Sequence, residues 1–371
     1  MTDKKLTLAV LFGGRSGEHE VSLNSARSVF AVLSPDQYQV IPVGITHDGV
    51  WLTGEHIHSF LLGEYPAKES DFTRVTFRGE PGDHTLYAIS DQGLLTPLAQ
   101  IDVVFPLLHG TFGEDGTLQG FLEMAGFAYV GAGVLGSSVG MDKALFKDVM
   151  RANQIPVVPS ITITRKEIHQ NLEAVLEQAE AISAYPMFVK PANLGSSVGI
   201  SKCKSRSDLL EGILEAARFD RRVLIEKGIE AREIEVSVLG NEFPKASIAG
   251  EIVPCDEFYS YNAKYIDGDS ALLIPAPIGA GLMQKLRDIA IRAYKAIDGA
   301  GLSRVDFLLE KSSGNYYLNE LNTMPGFTSI SMYPKLWEAS GLSYGELVTE
   351  LINLALDRKA ERDQTVFTYE G

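Results

Sequence analysis

Arg304, Asp306, Glu320 and Asn322 have the types and the spacing to place a cation and an oxyanion side by side. They lie on two short apolar runs, residues 305–309 and 316–321, both rich in strand formers. Between the runs stands Lys311-Ser-Ser-Gly-Asn315, a turn composition, so the stretch reads as a β-hairpin with a loop of about five residues. A loop centred on Ser313 opposes Asp306 to Glu320 and Arg304 to Asn322. Side chains alternate with period two, so all four then share one face. Directly opposed carboxylates sit about 5 Å apart at Cβ and repel. A divalent cation would turn that repulsion into ligation, and the hard oxygens of Asp, Glu and Asn suit Mg²⁺ on a nucleotide phosphate. Arg304 would lie beside it, placed to stabilise an oxyanion.

Other stretches carry weaker signals. Lys190-Pro-Ala-Asn-Leu-Gly-Ser196-Ser197-Val-Gly199 reads as strand, flexible loop, strand; its N–H groups and hydroxyls could wrap a triphosphate, with Lys190 at the entrance. It is not a Walker loop, which needs Gly-x4-Gly-Lys-Ser/Thr. His109-Gly-Thr-Phe-Gly-Glu-Asp-Gly116 follows a buried strand, as binding groups do at the carboxyl edge of open α/β sheets. Taken alone, His109 reads as well as a structural residue. Glu226 and Glu233 could take an adenine amino group and a ribose hydroxyl, or simply be solvated. Residues 254–270 form a long polar loop with Phe258, Tyr259, Tyr261 and Tyr265 around Lys264. Loops of that length are usually lids or disordered, and aromatics argue for a lid that excludes water.

The elements that must position these groups begin with a βαβ unit. Residues 6–12 read as a buried parallel strand, 18–33 as a helix and 38–45 as a second strand. A dinucleotide site is rejected there. The glycines run Gly13-Gly-x-x-Gly17, and no carboxylate ends the second strand to hold a ribose. Glu18 at the helix start would repel a pyrophosphate and suits an ammonium better; it also fits an ordinary first-turn acid. Residues 50–100 read as irregular, with strand-like pieces at 74–77 and 85–89. Further helices are expected at 118–125, 137–152, 168–184, 207–218, 281–299 and 343–356, and the charged tail beyond Asp357 as loose. Prolines in 154–159 suggest a domain crossing.

With 371 residues, two or three domains are expected. The net charge of −15 argues against a nucleic-acid partner, which would want a basic face. Cys203 and Cys255 are far apart and lack partners at metal spacing, which points to a reducing compartment. No apolar run approaches the roughly 20 residues of a membrane span. A cytoplasmic protein is expected.

In these motifs the chain resembles the ATP-grasp ligases, and among them the D-alanine–D-alanine ligases, over nearly its whole length. The resemblance rests on Gly-Gly-x-Ser-x-Glu18-x-Glu-Val-Ser22, His109-Gly-x-x-Gly-Glu-Asp-Gly-Thr-Leu-Gln-Gly120, Lys190-Pro…Gly195-Ser-Ser-Val-Gly199, and Arg304-Val-Asp306 through Glu320-Leu-Asn322-Thr-Met-Pro-Gly326. It implies an α/β ATP-grasp fold, with an N-terminal Rossmann-like parallel-sheet domain (1–141) and two α+β domains (142–228 and 229–371, with the lid at 254–270) sandwiching ATP. It implies two Mg²⁺ or Mn²⁺ ions on Asp306, Glu320 and Asn322. Lys143, Lys190 and Lys264 meet phosphates, Glu226 and Glu233 adenosine, and Ser196, Ser197, Lys227 and Asn319 complete the nucleotide site. Glu18 holds the first ammonium, and His109 belongs to the substrate site. Arg304 and the Gly326 N–H hold the oxyanion, Ser331 receives the second carboxylate, and Ser196 and Tyr265 link the loops to Glu18. The implied activity is ATP-dependent joining of two D-alanines for peptidoglycan precursors, by a homodimer. A D-alanyl-D-lactate-forming ligase and a nucleotide-binding regulator with a dead site are the rivals.

Overall fold

A computed structural model describes residues 5–195, 198–253, 271–366 and 368. The expected lid at 254–270, with Lys264 and Tyr265, and the loop residues Ser196 and Ser197 lie outside the described residues.

The N-terminal sheet has eight strands: β1 (Leu6–Gly13), β2 (Tyr38–Ile45), β3 (Trp51–Thr53), β4 (Thr73–Phe77), β5 (Thr85–Ile89), β6 (Leu95–Gln100), β7 (Val103–Pro106) and β8 (Ala128–Tyr129). Their order is β6-β5-β4-β3-β2-β1-β7-β8. The half from β2 to β8 is parallel, and Leu8 to Phe12 of β1 are fully buried, as an unbroken apolar run requires. The half from β3 to β6 is an antiparallel extension: the two strand-like pieces expected in residues 50–100 are β4 and β5, β3 and β6 are added to them, and most of the stretch connects strands. Its strands are short and sit at a half-solvated edge, where alternation is weak. Around this sheet lie α1 (His19–Phe30), α2 (Ile57–Leu61), α3 (Thr117–Ala125) and α4 (Val134–Met141).

Next come α5 (Lys143–Ala152), β9 (Ser160–Thr164), α6 (Arg165–Gln170), α7 (Leu172–Glu180), β10 (Met187–Pro191), β11 (Ser201–Cys203), α8 (Arg206–Phe219) and β12 (Arg222–Lys227). The four strands form an antiparallel sheet in the order β11-β10-β12-β9. Two expected helices are each broken in two. Asp142 interrupts the first, accepting the Leu145 N–H at 2.9 Å as the cap of α5 and pairing with Arg222. Asn171 interrupts the second, accepting the Ala174 N–H at 3.1 Å. Short polar side chains offer the backbone an alternative partner, and this is how helices start and stop.

The third sheet holds β13 (Ala231–Leu239), β14 (Lys245–Val253), β15 (Ala271–Leu273), β16 (Leu302–Glu310) and β17 (Tyr316–Asn322), in the order β15-β14-β13-β16-β17. Helix α9 (Ala280–Ala296) covers one face with Leu286, Ile289, Ala290, Ala293 and Tyr294. The hairpin register matches the expectation at the charged end, with Arg304 opposite Asn322 and Asp306 opposite Glu320. It does so by two compensating differences. The turn is tighter than foreseen, and the pairing slips by one residue between Asp306 and Phe307, where Asn319 forms a bulge.

Helix α10 (Met332–Ala339) was not foreseen, and α11 (Tyr344–Arg362) extends into the tail expected to be loose, as far as Arg362. This last part of the helix is tied down. Arg358 donates to the Gly131 carbonyl at 3.0 Å and lies over the Tyr129 ring at 4.1 Å; Arg362 donates to the Phe127 carbonyl at 3.0 Å. One core therefore joins the two ends of the chain. Phe12, Leu23 and Phe105 pack with Leu302, Phe327, Tyr333, Leu347 and Leu351. Each such side chain contributes about 2 kcal/mol on burial, and together they press the segment after β17 against the N-terminal sheet. Among the described residues no helix is long and apolar enough to cross a membrane.

Candidate active site

The cross-strand ladder builds the charged wall. Glu235 on β13 faces Asp306 on β16, which faces Glu320 on β17, so three carboxylates stand in one row. In the next row Arg304 lies between Ser237 and Asn322. Arg304 grips Asp306 with both ends of its fork, at 2.7 and 2.6 Å, and meets Glu235 at 3.0 Å. The Asn322 amide donates to Asp306 at 3.0 Å. Burial opposes the guanidinium charge, but Asp306 and Glu235 more than offset this and hold its pKa far above the ordinary value. Among the described residues no three His, Cys, Asp or Glu side chains converge on one ion. Two carboxylates and an amide on one face, in excess of the local positive charge, suit a hard cation that takes its remaining ligands from phosphate oxygens.

A second charged group lies on β10, β12 and α5. Glu226 receives Lys190 Nζ at 2.9 Å and Lys147 Nζ at 3.1 Å. Burial pushes the Glu226 carboxyl up, but the two ammonium groups outweigh it and bring its pKa down to about 2. Burial likewise lowers Lys147, against the pull of Glu226. Lys190 is raised, because Glu226 and more distant carboxylates offset its burial. Lys143 opens α5 and donates to the Leu194 carbonyl of the Gly-rich loop at 2.5 Å. Lys227 ends β12 and donates its backbone N–H to the Pro159 carbonyl at 2.9 Å. Glu233 sits on β13 between Ile252 and Leu308. Lys147 reaches the carbonyl of Asn319, in the bulge, at 3.5 Å.

Between the walls lies a cleft of about 1210 Å³. It brings together Glu18, His109, Arg304, Glu320, Gly326 and Ser331, and Lys143 and Asn322 also face it. Lys190, Glu226, Lys227, Glu233, Asp306 and Asn319 do not line it. Glu18 is 8% exposed and wedged between two glycines. A Cβ at either Gly110 or Gly195 would lie 2.5 Å from Glu18 Oε2, so the carboxylate reaches this position only because both lack side chains. Ser16 fixes the turn, with its hydroxyl accepting the Glu18 N–H at 3.2 Å and donating to the His109 carbonyl at 2.9 Å. Ser331 caps α10, and its hydroxyl is 2.7 Å from Thr328 Oγ1. A Cβ on Gly326 would come within 3.3 Å of it.

His109 is buried, with Nδ1 at 2.8 Å from the Met324 carbonyl and Nε2 at 3.1 Å from Ser25 Oγ. A carbonyl only accepts, so Nδ1 carries the proton and Nε2 accepts from the serine. Burial pushes the imidazole pKa down, partly opposed by Glu18, and favours this neutral form. Glu114 accepts the Gly110 N–H at 2.8 Å and the Met324 N–H at 2.9 Å. Burial and the charge of Glu18 push its carboxyl up to about 8, against those two donors. Lys147, Glu235 and Ser25 were not singled out from sequence, and Glu114 was read only as the Glu of the Gly-rich turn after a buried strand. Lys147 and Glu235 could have been: they stand one helical turn from Lys143 and one strand repeat from Glu233. Glu114 and Ser25 act across the fold and leave no local spacing to read.

The α/β fold, a large mixed sheet followed by two antiparallel sheets, is that of the ATP-grasp ligases among the similar solved structures. The chain belongs to the D-alanine–D-alanine ligase family: the profile described as D-ala D-ala ligase N-terminus matches residues 7–132 and that described as D-ala D-ala ligase C-terminus matches 149–353. It is 48% identical to a D-alanine–D-alanine ligase of Natranaerobius thermophilus, over 97% of this chain and 98% of that one. It is 50% identical to one of Heliobacterium modesticaldum, over 97% of each. Among solved structures it is similar to the D-alanine-D-alanine ligase from Coxiella burnetii, with a TM-score of 0.83 and 36% identity over 97% of this chain and 96% of that one. It is also similar to the VanG D-Ala:D-Ser ligase from Enterococcus faecalis, with a TM-score of 0.84 and 34% identity over 95% of this chain and 100% of that one.

Proposed function

We propose that the chain joins two D-alanines to D-alanyl-D-alanine at the expense of ATP, through a D-alanyl phosphate, for peptidoglycan precursors. The observation that carries this reading is Arg304, bound to Glu235 and Asp306 on one wall of a cleft that also holds the glycine-wedged Glu18. A free carboxylate is a poor acyl donor, because oxide does not leave; phosphorylation supplies a leaving group, and water must then be kept away. Glu18 holds the ammonium of the first D-alanine. The carboxylate of that D-alanine attacks the γ-phosphate of ATP and releases ADP; the phosphates of ATP meet Lys143 and Lys190, and its adenosine lies near Glu226, Lys227 and Glu233, with Asn319 beside them. The amine of the second D-alanine, oriented through its carboxylate by Ser331 and freed of its extra proton, then attacks the acyl phosphate; the tetrahedral intermediate collapses to the amide and expels inorganic phosphate, which carries off a proton. Arg304 and the Gly326 N–H stabilise the tetrahedral oxyanion. Asp306, Glu320 and Asn322 would hold two Mg²⁺ or Mn²⁺ ions, which supply charge neutralisation at the transferring phosphate. Ser196, Ser197, Lys264 and Tyr265 keep the roles that the resemblance gives them.

Three domains, 1–141, 142–228 and 229–371, fit the three sheets. ATP use and the buried free thiol of Cys203 support a cytoplasmic setting. Exposed Leu94, Leu95 and Leu98 at the β6 edge support self-association as a homodimer. The D-alanyl-D-lactate alternative is not favoured, because the similar proteins above are named for amino-acid acceptors. Phosphate release from ATP with Mg²⁺, measured with D-alanine, L-alanine and D-lactate, tests the reading. Release that depends on D-alanine and yields dipeptide is expected; release with L-alanine or D-lactate in its place would overturn it.

A further inference from the structure

The segment from Met324 to Phe327 is held at three points by one side of the molecule. Glu114 accepts the Met324 N–H at 2.9 Å, and His109 Nδ1–H donates to the Met324 carbonyl at 2.8 Å. Ser25 accepts the Phe327 N–H at 3.3 Å and gives its own proton to His109 Nε2 at 3.1 Å. Ser25 belongs to α1, and the other two to the turn after β7, so all three come from the N-terminal sheet. Their partners lie 210 to 302 residues further along the chain. Pro325, with its fixed φ, and Gly326 are the only residues between the held ones.

We propose that His109, Glu114 and Ser25 form a clamp that sets the position of the Gly326 N–H, so that His109 is a positioning residue and not a ligand of the substrate. This rests on the reading that Gly326 faces the oxyanion. Both ring nitrogens of His109 are already used within the protein, and a neutral ring is what this pairing requires. The clamp also explains why the imidazole is buried although it borders the cleft. An oxyanion donor is useful only if it is in place before charge develops. A glycine next to a proline cannot secure that alone, because glycine is the most permissive residue of the chain. The N-terminal sheet supplies the missing restraint, and so couples the site that binds the first ammonium to the site that stabilises the tetrahedral state.

The test compares His109→Asn, His109→Gln and His109→Leu, with Glu114→Gln as a second site, in the full-length protein with ATP, Mg²⁺ and D-alanine. An asparagine amide N–H sits close to where Nδ1–H sat; a glutamine amide falls nearer Nε2. A misplaced donor costs on the order of a hundredfold in rate, so His109→Leu should lower kcat by about that factor and leave KM for ATP within about threefold. Asparagine should recover at least about tenfold of the loss and glutamine little. Glu114→Gln keeps the volume and one acceptor, and should lose kcat in the same way with ATP binding intact. Hydroxylamine trapping of the acyl phosphate should show that step less impaired than dipeptide formation in every variant. The clamp is overturned if glutamine recovers more than asparagine, if all three His109 variants lose alike, or if trapping falls in parallel with dipeptide. A parent protein that makes no dipeptide from D-alanine would instead sink the underlying reading of the activity.

Discussion

Glu114 and Glu226 are both buried glutamates, 9% and 3% exposed, and they are perturbed in opposite directions. Glu114 is pushed up to about 8 and Glu226 down to about 2. Burial raises both, so burial alone does not set the sign; the neighbours do. Glu114 has two backbone N–H donors and the negative charge of Glu18 nearby, whereas Glu226 sits between Lys147 and Lys190. The end of the cleft proposed for the amino acids is thus fixed largely by neutral bonds between distant segments, which define geometry. The group proposed for the nucleotide is fixed by opposite charges on adjacent elements, which define potential. A step that must place a carbonyl accurately uses the first kind of construction, and one that must gather phosphate charge uses the second.

The comparison can be broken most severely at the nucleotide end. Glu320→Gln removes one carboxylate from the row with Asp306 and Glu235 but leaves the ladder intact. D-alanine-dependent phosphate release should fall on the order of a thousandfold with the melting temperature nearly unchanged. Normal turnover at ordinary Mg²⁺ would sink the cation reading. Lys147→Met comes next. It leaves Glu226 with Lys190 alone in a buried place, and removing one partner of such a group costs roughly 3 kcal/mol. Urea unfolding of Lys147→Met and of the double variant Lys147→Met/Glu226→Gln measures this. If the second change restored none of the loss, the pair would not be coupled.

The opposite shifts also predict opposite pH dependences. A glutamate in the unfolded chain titrates near about 4.3. Glu114 has a higher folded value, so the folded state binds more protons between about 4.3 and 8, and stability falls as pH rises through that window. Glu226 has a lower one; its contribution is complete above the unfolded value and is lost as pH falls toward about 2. His109 is shifted down, so its contribution is lost below the usual imidazole range. Subtracting the unfolding free energy of Glu114→Gln from that of the parent isolates the first group. The difference should change by up to about 1.4 kcal/mol per pH unit between pH 5 and 8, becoming less favourable to the parent. A flat difference would place Glu114 at an ordinary value.

The same contrast explains what could be read from the chain alone. The charged hairpin was legible because its register follows from a period of two and a local turn, and the ladder places Asp306 opposite Glu320 as expected. Lys190 and Glu226 were found singly but not as partners, because β10 and β12 pair across the intervening helix α8. Asp142 and Asn171, read as helix interior, cap new helices; their side chains outcompeted the apolar periodicity around them. The start of the tail, residues 358–362, was misread because Arg358 and Arg362 look solvated until Gly131 and Phe127 are beside them. The Met324 clamp spans more than two hundred residues, and no spacing rule reaches that far.

The mildest change falls on the carboxylate that links the two constructions. Glu18→Gln keeps the size of the side chain, which the space between Gly110 and Gly195 requires, and removes its charge. A hydrogen bond to a charged group is worth on the order of 1.5 kcal/mol more than none, and the amide keeps part of that. KM for the first D-alanine should therefore rise roughly tenfold, with KM for ATP nearly unchanged. The same substitution removes the negative charge that raises Glu114, so above about pH 8, where Glu114 is ionised, the unliganded protein should become slightly more stable. At an effective dielectric of about 20 that relief is on the order of 1 kcal/mol, or about 2 °C in the melting temperature of a chain of this size. Affinity and stability then move in opposite directions, as expected where a like-charge pair is kept for the ligand that neutralises it. Calorimetry with and without D-alanine measures both. A variant with normal alanine binding and impaired ATP binding would assign this turn to the nucleotide, and one that was less stable than the parent would show that Glu18 is held by partners stronger than its repulsion from Glu114.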